Sequence, residues 1–598
     1  GPLLPAPGLA RALEEAGRDV PLSGAFAAHL IRHLREWTGD GAAVREWLSC
    51  KFDGGAENFD RIVSSQFKLQ SDAHESVGRI IGSLRLMLRW DWRGHFAEVS
   101  VTERTLMRDP AGDYPRLDHA SRDLLRQSVE RLARRFRVPE NLVAERAVAL
   151  AEQAREKPAE DGGPSREAFL FHYLLEPKGI ETLGANLRSC GDTRRRAGLG
   201  LRRRPTMAYF GWTGFFFTLA AAGLAIWTGH WDGPPDAGPA VPGGNLTGGE
   251  GFWRGVGPAG EAGLLRGLAA GPAPSPGAGW AAMLWQAAAV LLLAFPAAEL
   301  AVTLTHGLIG LLCKTTPLLK YDFSDGIPPE AAAVVTVPVV LTSPEEAREM
   351  ADRLEMHYLA NRSPNLHFAL LADLPDAKEE RRPGDEAIMA EARRRIRLLN
   401  ERYPHRPFHL YFRRRTWNES EGKWMGWERK RGKLVEFMLF ARGKKDPQFA
   451  IADGDADFLR NVRYVITVDA DTELPPESAQ RMVGAMHLPY NRPRLNRERT
   501  RVVEGYAVMQ PRIGIRHETA LRSRLAYLWS RETGVDPYAF AVSDPYQDLF
   551  GHGIYVGKGI LDLDLFVELT AERIPENRVL SHDLLEGGIL RAGLLSDV

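Results

Sequence analysis

Apolar and polar positions divide the chain into three regimes. Up to about residue 190, apolar residues recur at helical spacing among many charges, as in HASRDLLRQSVERLARRF, without long β-branched runs. That rhythm predicts a helical domain over residues 1–193. Its Trp-rich passage SLRLMLRWDWRGHFAEV, with Trp90 and Trp92, reads as core or interface packing. The second regime is uncharged and apolar from Met207 to Trp231, and roughly 20 apolar residues suffice to cross a bilayer. A Gly/Pro/Ala-rich stretch follows from Asp232 to Gly279, and then a second apolar run, from Trp280 to Cys313, carries Pro296 and Glu299 and is expected to kink at the proline. Trp212, Trp227, Trp231, Trp280 and Trp285 lie near the ends of these runs, where interfacial anchors belong. The pattern predicts a membrane region over 194–314, with spans at 207–231 and 280–313 and a loop at 232–279.

From Ala331 the rhythm changes to strands alternating with helices. VVTVPVVL is a strand candidate, and the helix after it opens with Ser343 as N-cap and Pro344 at the first helical position. LHFALLAD and FHLYFR are further strands, with the helix DEAIMAEARRRIRLLNERY between them, and NVRYVITVDADTELPPESAQRMVGAM supplies another strand and helix. This alternation predicts an α/β domain over 315–598, built on a mainly parallel sheet with flanking helices.

Charge refines the picture locally. Lys plus Arg and Asp plus Glu are both 77 in 598 residues, so the net charge of zero argues against a nucleic-acid-binding protein. Six arginines (Arg194, Arg195, Arg196, Arg202, Arg203, Arg204) precede the first apolar run. The positive-inside rule puts that flank in the cytoplasm, the 232–279 loop in the periplasm, and the chain from Lys314 onward back in the cytoplasm. Cys50, Cys190 and Cys313 are too scattered for a disulfide framework or a zinc site.

The chemistry gathers at strand ends. Asp469 and Asp471 follow a buried-looking strand, where an open α/β sheet places its ligands, although Asp and Pro also end strands simply as turn formers. Asp373 ends an earlier strand, and the basic block from Glu428 to Leu434 (Arg429, Lys430, Arg431, Lys433) opens a helix. Carboxylates with a cation cluster suit a diphosphate bridged by a divalent metal, so that a sugar–phosphate bond can break.

The ordered blocks VVTVPVVLTSPEE, LHFALLADLPDA, WNESEGKWMGWERKRGKL, RYVITVDADTELP, VVEGYAVMQPRI, VSDPYQDLFGHGIYVGKGI and PENRVLSHDLLEG resemble the glycosyltransferase domain of the bacterial cyclic β-1,2-glucan synthases. That domain is similar in turn to cellulose-synthase-type transferases of GT-A fold. The amino-terminal SVGRIIGSLR and RDPAGDYPRLDHASRDLLRQSVERLA resemble the helical region of the same family. The resemblance implies a membrane-bound, inverting, processive glucosyltransferase of the bacterial inner membrane, its catalytic domain cytoplasmic, which uses UDP-glucose and Mg2+ or Mn2+ to extend a β-1,2-glucan. It assigns Asp373 to uridine, Lys430 and Gly432 of a Lys-x-Gly motif to the diphosphate, Asp469 and Asp471 to donor and metal, and Asp583 of Ser-His-Asp to the catalytic base.

Lys433, Trp427, Gln510, Lys558 and Glu586 join the expected substrate-binding set, with His582 and Glu586 as second choices for the base. Trp417, Trp424 and the loop from Phe550 to Gly559 are candidate acceptor or diphosphate contacts. The family's later Arg-Trp block, further membrane spans and phosphorylase-like domain have no counterpart before Val598, so this chain is expected to be the amino-terminal part of a larger synthase, its transferase domain cut short at the carboxyl end. A related transferase making linear glucan, and a catalytically silent membrane scaffold, remain as alternatives.

Overall fold

The computed structural model describes residues 23–35, 41–51, 55–156, 165–188, 204–229, 279–313, 317–444, 449–514, 544–579 and 581–598, with a few isolated positions besides. The predicted loop 232–279 thus lies almost wholly outside the described residues, as do five of the six clustered arginines. The chain divides into two compact units, residues 1–100 and 101–598.

The first unit contains helices Gly24–Arg35, Gly41–Lys51, Gly55–Arg89 and Trp92–Val99. Its small core gathers Ala27, Ala28, Leu48, Phe59 and Val63.

The second unit is built on an eight-stranded sheet. The strands in chain order are β1 (Ala333–Val340), β2 (Leu366–Asp373), β3 (Phe408–Arg413), β4 (Thr416–Asn418), β5 (Lys423–Met425), β6 (Phe449–Asp453), β7 (Tyr464–Thr467), β8 (Arg494–Leu495), β9 (Val502–Glu504), β10 (Val508–Pro511), β11 (Gly559–Asp562) and β12 (Ala592–Leu595). The sheet order is β12-β10-β11-β7-β1-β2-β3-β6, and β4-β5 and β8-β9 form separate hairpins. β1, β2, β3 and β7 run parallel, β11 runs against both β7 and β10, and β6 closes the other edge antiparallel to β3. The fold is therefore mixed α/β with a mostly parallel central sheet, as the alternation predicted.

Both faces of this sheet are buried, which explains why the strands read as continuous apolar runs. Along β1, Ala333, Val335, Val337 and Val339 enter one core and Val334 the other, and along β2, Phe368 and Leu370 oppose Ala369 and Leu371. The first core is covered by helices Pro344–Ala360, Asp385–Arg402 and Ser478–His487, and it takes in Leu125, Val129, Val143 and Leu174 from residues 101–188. Helices Arg429–Ala441 and Leu563–Thr570 cover the second. Local signals work as read: the Ser343 hydroxyl accepts from the Glu346 amide at 3.2 Å, with Pro344 at the first helical position.

The helices of 101–188 thus share a core with the sheet. Polar contacts lock the two together. Tyr321 donates to Asp113, the Asp118 amide donates to the Lys320 carbonyl at 3.0 Å, and the Lys320 amide donates to Ser121 at 3.0 Å. Glu176 accepts from the Tyr490 hydroxyl at 2.6 Å, pairs with Arg166 at 2.8 Å, and lies 2.8 Å from His172 Nδ1.

Of the predicted spans, the first lies on helix Pro205–Gly229 and the second on helix Gly279–Leu312, which contains Pro296. The two pack together through Thr213, which donates to Thr305 at 3.3 Å, and through Tyr209, 3.1 Å from His306. Among the described residues, one stretch, Leu292–Leu312, is long and apolar enough to cross a membrane.

The Glu176 junction generates a pH test. Burial pushes this carboxyl up, but His172, Arg166 and Tyr490 outweigh it and hold it at about 2, below its ordinary 4.5. A depressed acid contributes stability above its unfolded pKa and loses it as pH falls through the folded value. Glu176→Gln should therefore lower the melting temperature at neutral pH and flatten its decline between about pH 5 and pH 2. Tyr490→Phe, which removes one donor to a charged group, should cost about 1.5–3 kcal/mol. Wild-type melting curves from Glu176→Gln across that range would refute the reading.

Candidate active site

The carboxyl ends of β1, β2, β7 and β10 share one edge with the amino end of β11, because Val340 pairs with Asp373 and Thr467 with Gly559. That edge collects the predicted chemistry. Asp373 ends β2, Asp469 lies just beyond β7, and Gly557 and Lys558 lead into β11. Gln510, buried in β10, accepts from the Val556 amide at 2.7 Å and so ties down the end of the 550–559 loop.

A half-exposed charge cluster lies at the centre. Lys430 donates to Asp469 and, at 2.9 Å, to the Gly557 carbonyl, while Lys558 Nζ is 3.1 Å from the other Asp469 oxygen. Burial works to raise the Asp469 carboxyl, but the two lysines outweigh it and hold it below the usual range. Gly557, at φ 79°, lies so near Asp583 that a Cβ there would fall 2.8 Å from both carboxylate oxygens. A side chain at 557 would thus meet both an unfavourable backbone region and a carboxylate. Asp583 opens helix Asp583–Leu590, and its carboxyl is raised by burial and by Asp469, against Lys430 and His582.

Lys430 is aimed by an unusual turn. Glu428 and Arg429 both have positive φ, 49° and 48°, just before helix Arg429–Ala441 proceeds. One turn on, Gly432 packs against the Trp427 carbonyl so closely that a Cβ would fall 1.7 Å from the oxygen. The glycine of the Lys-x-Gly motif is thus a packing requirement of this turn.

Beneath the cluster is a deeper network. Arg413 donates to both oxygens of Asp373 at 2.8 Å, to Glu436 at 3.1 Å, and to the Trp427 and Arg429 carbonyls at 2.8 and 3.0 Å. Lys433 lies 3.2 Å from Asp373 and donates to the Val339 carbonyl at 2.6 Å. Asp373, Arg413, Lys433 and Glu436 are all buried. Burial pushes the Lys433 amine down while Asp373 pulls the other way. Two of the predicted site residues, Asp373 and Lys433, are therefore engaged with buried partners rather than facing solvent.

Glu586 is buried and stands 3.3 Å from Arg431 Nε, which is ion-pair range but outside hydrogen-bond alignment. Arg431 donates to the Thr570 carbonyl at 3.1 Å. Burial pushes Glu586 up to about 7, with Asp583 adding and Arg431 opposing. His582, lowered by burial, lies 3.4 Å from Glu428. His582 occupies the cap position of helix Asp583–Leu590 and makes no side-chain cap hydrogen bond. Glu586, Gly587 and Leu590 point inward while Leu584 and Leu585 are exposed, because the helix buries its charged and glycine positions against Arg431 and Tyr555.

The remaining candidates are peripheral. Asp471 is exposed, with Thr472 donating to it at 3.4 Å. Trp417 and Trp424 face each other edge-on across the β4-β5 hairpin, 5.9 Å apart, and Trp427 packs on the second core. Among the described residues no group of three or more His, Cys, Asp or Glu is placed to hold a metal by itself. Sequence reasoning missed Arg413 and Glu436. The sign available was a lone arginine closing the otherwise buried strand FHLYFR, which has to find a carboxylate.

No family model matches the chain. It is 33% identical over 578 residues to cyclic beta-(1,2)-glucan synthase NdvB of Rhizobium meliloti (strain 1021), an alignment covering 96% of this chain and 18% of that protein. Over nearly all of its own length the chain is therefore cyclic β-glucan synthase-like, while spanning 18% of the length of the relative it matches.

Proposed function

We propose that the chain is the glucosyl-transferring part of a cyclic β-1,2-glucan synthase: a GT-A-type, inverting, processive transferase that takes glucose from UDP-glucose in the cytoplasm and adds it to a growing β-glucan. The observation that carries this reading is the pairing of Asp469 with Lys430 and Lys558 at one sheet edge, with Asp583 beside Gly557 at the same edge, an arrangement that would join donor-binding charges to a carboxylate base. A multi-pass inner-membrane location, with 232–279 periplasmic and further spans and a phosphorylase-like domain supplied elsewhere in the synthase, belongs to the same proposal.

In this mechanism the donor diphosphate takes over Lys430 and Lys558, which now neutralise Asp469. The donor set fits Mg2+ or Mn2+: the exposed Asp471, with Asp469 once its lysines turn to phosphate, would hold the ion, since Mg2+ is commonly bound by one or two carboxylates plus substrate phosphates. The bound ion would supply charge neutralisation for the leaving diphosphate. Lys430 and Lys558 stabilise the same charge as it develops, an interaction stronger in the transition state than in the ground state. Asp583 takes the proton from the acceptor hydroxyl as that oxygen attacks the anomeric carbon opposite UDP, which turns an α-linked donor into a β-linked product. Burial and Asp469 raise its carboxyl above the ordinary range, which strengthens it as a proton acceptor. Trp417 and Trp424, on the β4-β5 hairpin, would supply an aromatic surface to the acceptor, and Asp373 and Lys433, with Arg413, would brace the uridine end of the crevice.

Two experiments test this. Asp471→Asn keeps the shape and removes an anionic ligand, so metal-dependent UDP-glucose binding should weaken strongly. Equal affinity with and without Mg2+ or Mn2+, in both proteins, would make the acid pair a strand-end turn. In the complete synthase, Asp583→Asn should leave donor affinity near wild type while transfer falls by roughly 10²–10⁴-fold. Glu586→Gln should do less. Wild-type glucan formation by Asp583→Asn would remove Asp583 from the mechanism, and a selective loss in Glu586→Gln would move the base there. Product linkage analysis separates a β-1,2-glucan from a linear glucan of another linkage.

A further inference from the structure

Helix Gly55–Arg89 is two structures in one. Its first turns contribute Phe59 and Val63 to the core of the first unit. From Ser71 onward every residue is exposed. Yet this bare half is not polar: Val77, Ile80, Ile81, Leu84 and Leu88 recur at spacings of three and four, with exposures of 52%, 58%, 44%, 52% and 86%. At 100° per residue these five positions cover one stripe roughly a third of the circumference wide. Gly78 and Gly82 lie off that stripe, and a Cβ at either would touch nothing within 4 Å.

The charges flanking the stripe identify what covers it. From Ala73 to Trp90 the residues charged at neutral pH are Glu75, Arg79, Arg85 and Arg89; Glu75 lies 3.7 Å from Arg79, which leaves Arg85 and Arg89 as the excess positive charge. Trp90, half exposed and edge-on to His95, closes the helix. A second copy on this face would bring like charges together, and an acidic protein surface would leave the apolar stripe unsatisfied. An anionic lipid surface answers both, because acyl chains accept the stripe, headgroup phosphates accept the arginines, and tryptophan favours the boundary. Long arginine side chains at the edge of such a stripe reach back to the headgroups.

We propose that the segment from Ala73 to Trp90 lies in the plane of an anionic membrane surface as an interfacial anchor. It would fix the first unit on the bilayer by a contact separate from any spanning helix. This inference stands on the first unit alone, so failure of the donor-binding reading would leave it intact.

The test uses the full chain in vesicles of phosphatidylglycerol and phosphatidylethanolamine, with Cys50, Cys190 and Cys313 replaced by serine. A single cysteine replaces Leu84 on the stripe or Gly82 on the opposite side, and each carries an environment-sensitive fluorophore. The Leu84 probe should show blue-shifted emission and lose intensity when lipids bear a nitroxide high on the acyl chain, whereas the Gly82 probe should stay water-like. Combined Arg79→Gln, Arg85→Gln and Arg89→Gln should reduce that loss, and so should replacing phosphatidylglycerol with phosphatidylcholine. A water-like Leu84 probe would overturn the proposal. A dry Leu84 probe insensitive to the lipid-borne quencher would also overturn it, since protein rather than lipid would then cover the stripe.

Discussion

Everything at the sheet edge turns on the pairing of Asp469 with two lysines. Asp469 and Asp583 are close enough that each raises the other's cost of ionisation, and both are partly withdrawn from water. Cations beside them offset that cost. Lys430 resolves this from the start of helix Arg429–Ala441, and it needs the left-handed turn at Glu428 and Arg429 to reach the site. That turn in turn needs Gly432 against the Trp427 carbonyl, and the Arg413 network holding the same carbonyl from below. A short chain of contacts thus runs from the buried sheet to the charge that meets the ligand.

The site has two tiers with different physics. Asp373, Arg413, Lys433 and Glu436 are buried and formally balanced, two negative and two positive, with bidentate geometry at Asp373. Removing one member would strand its partners, a cost of about 3–5 kcal/mol for a broken buried pair. Lys430, Lys558 and Asp469 are a third or so exposed, so their pairing is weaker and can be exchanged for a ligand's charges. Rigid charges beneath and replaceable charges above are what a site needs if it is to neutralise a diphosphate without reorganising its frame.

The strands were legible because burial on both faces writes them as unbroken apolar runs: LHFALLAD and FHLYFR coincide with β2 and β3 from end to end. The cap at Ser343 was legible because capping is local, and the position of the acid pair beyond β7 because a strand's carboxyl end is set by direction alone. What stayed hidden depends on contacts distant in sequence. Nothing near Asp373 announces Arg413, forty residues on. Helices in 101–188 read as a separate bundle, yet Leu125 and Val129 share a core with β1. At helix Asp583–Leu590 the buried position went to Glu586, which had Arg431 to meet it, while Leu584 and Leu585 stayed exposed.

That reversal bears on which carboxylate does chemistry. Glu586 is buried, its carboxyl pushed up to about 7 by burial, and it faces Arg431 rather than the crevice. Asp583, one turn earlier, lies beside the Gly557 backbone and Lys430, where donor and acceptor would meet. Its helix begins at Asp583 itself, so the helix's partial positive charge favours the ionised acid while burial opposes it. The balance leaves a carboxyl raised but still within reach of ionisation, which is the condition for a base that must hold no proton before the acceptor arrives and hold one afterwards. Glu586, whose carboxyl burial pushes up to about 7 and which faces Arg431, fits that description less well.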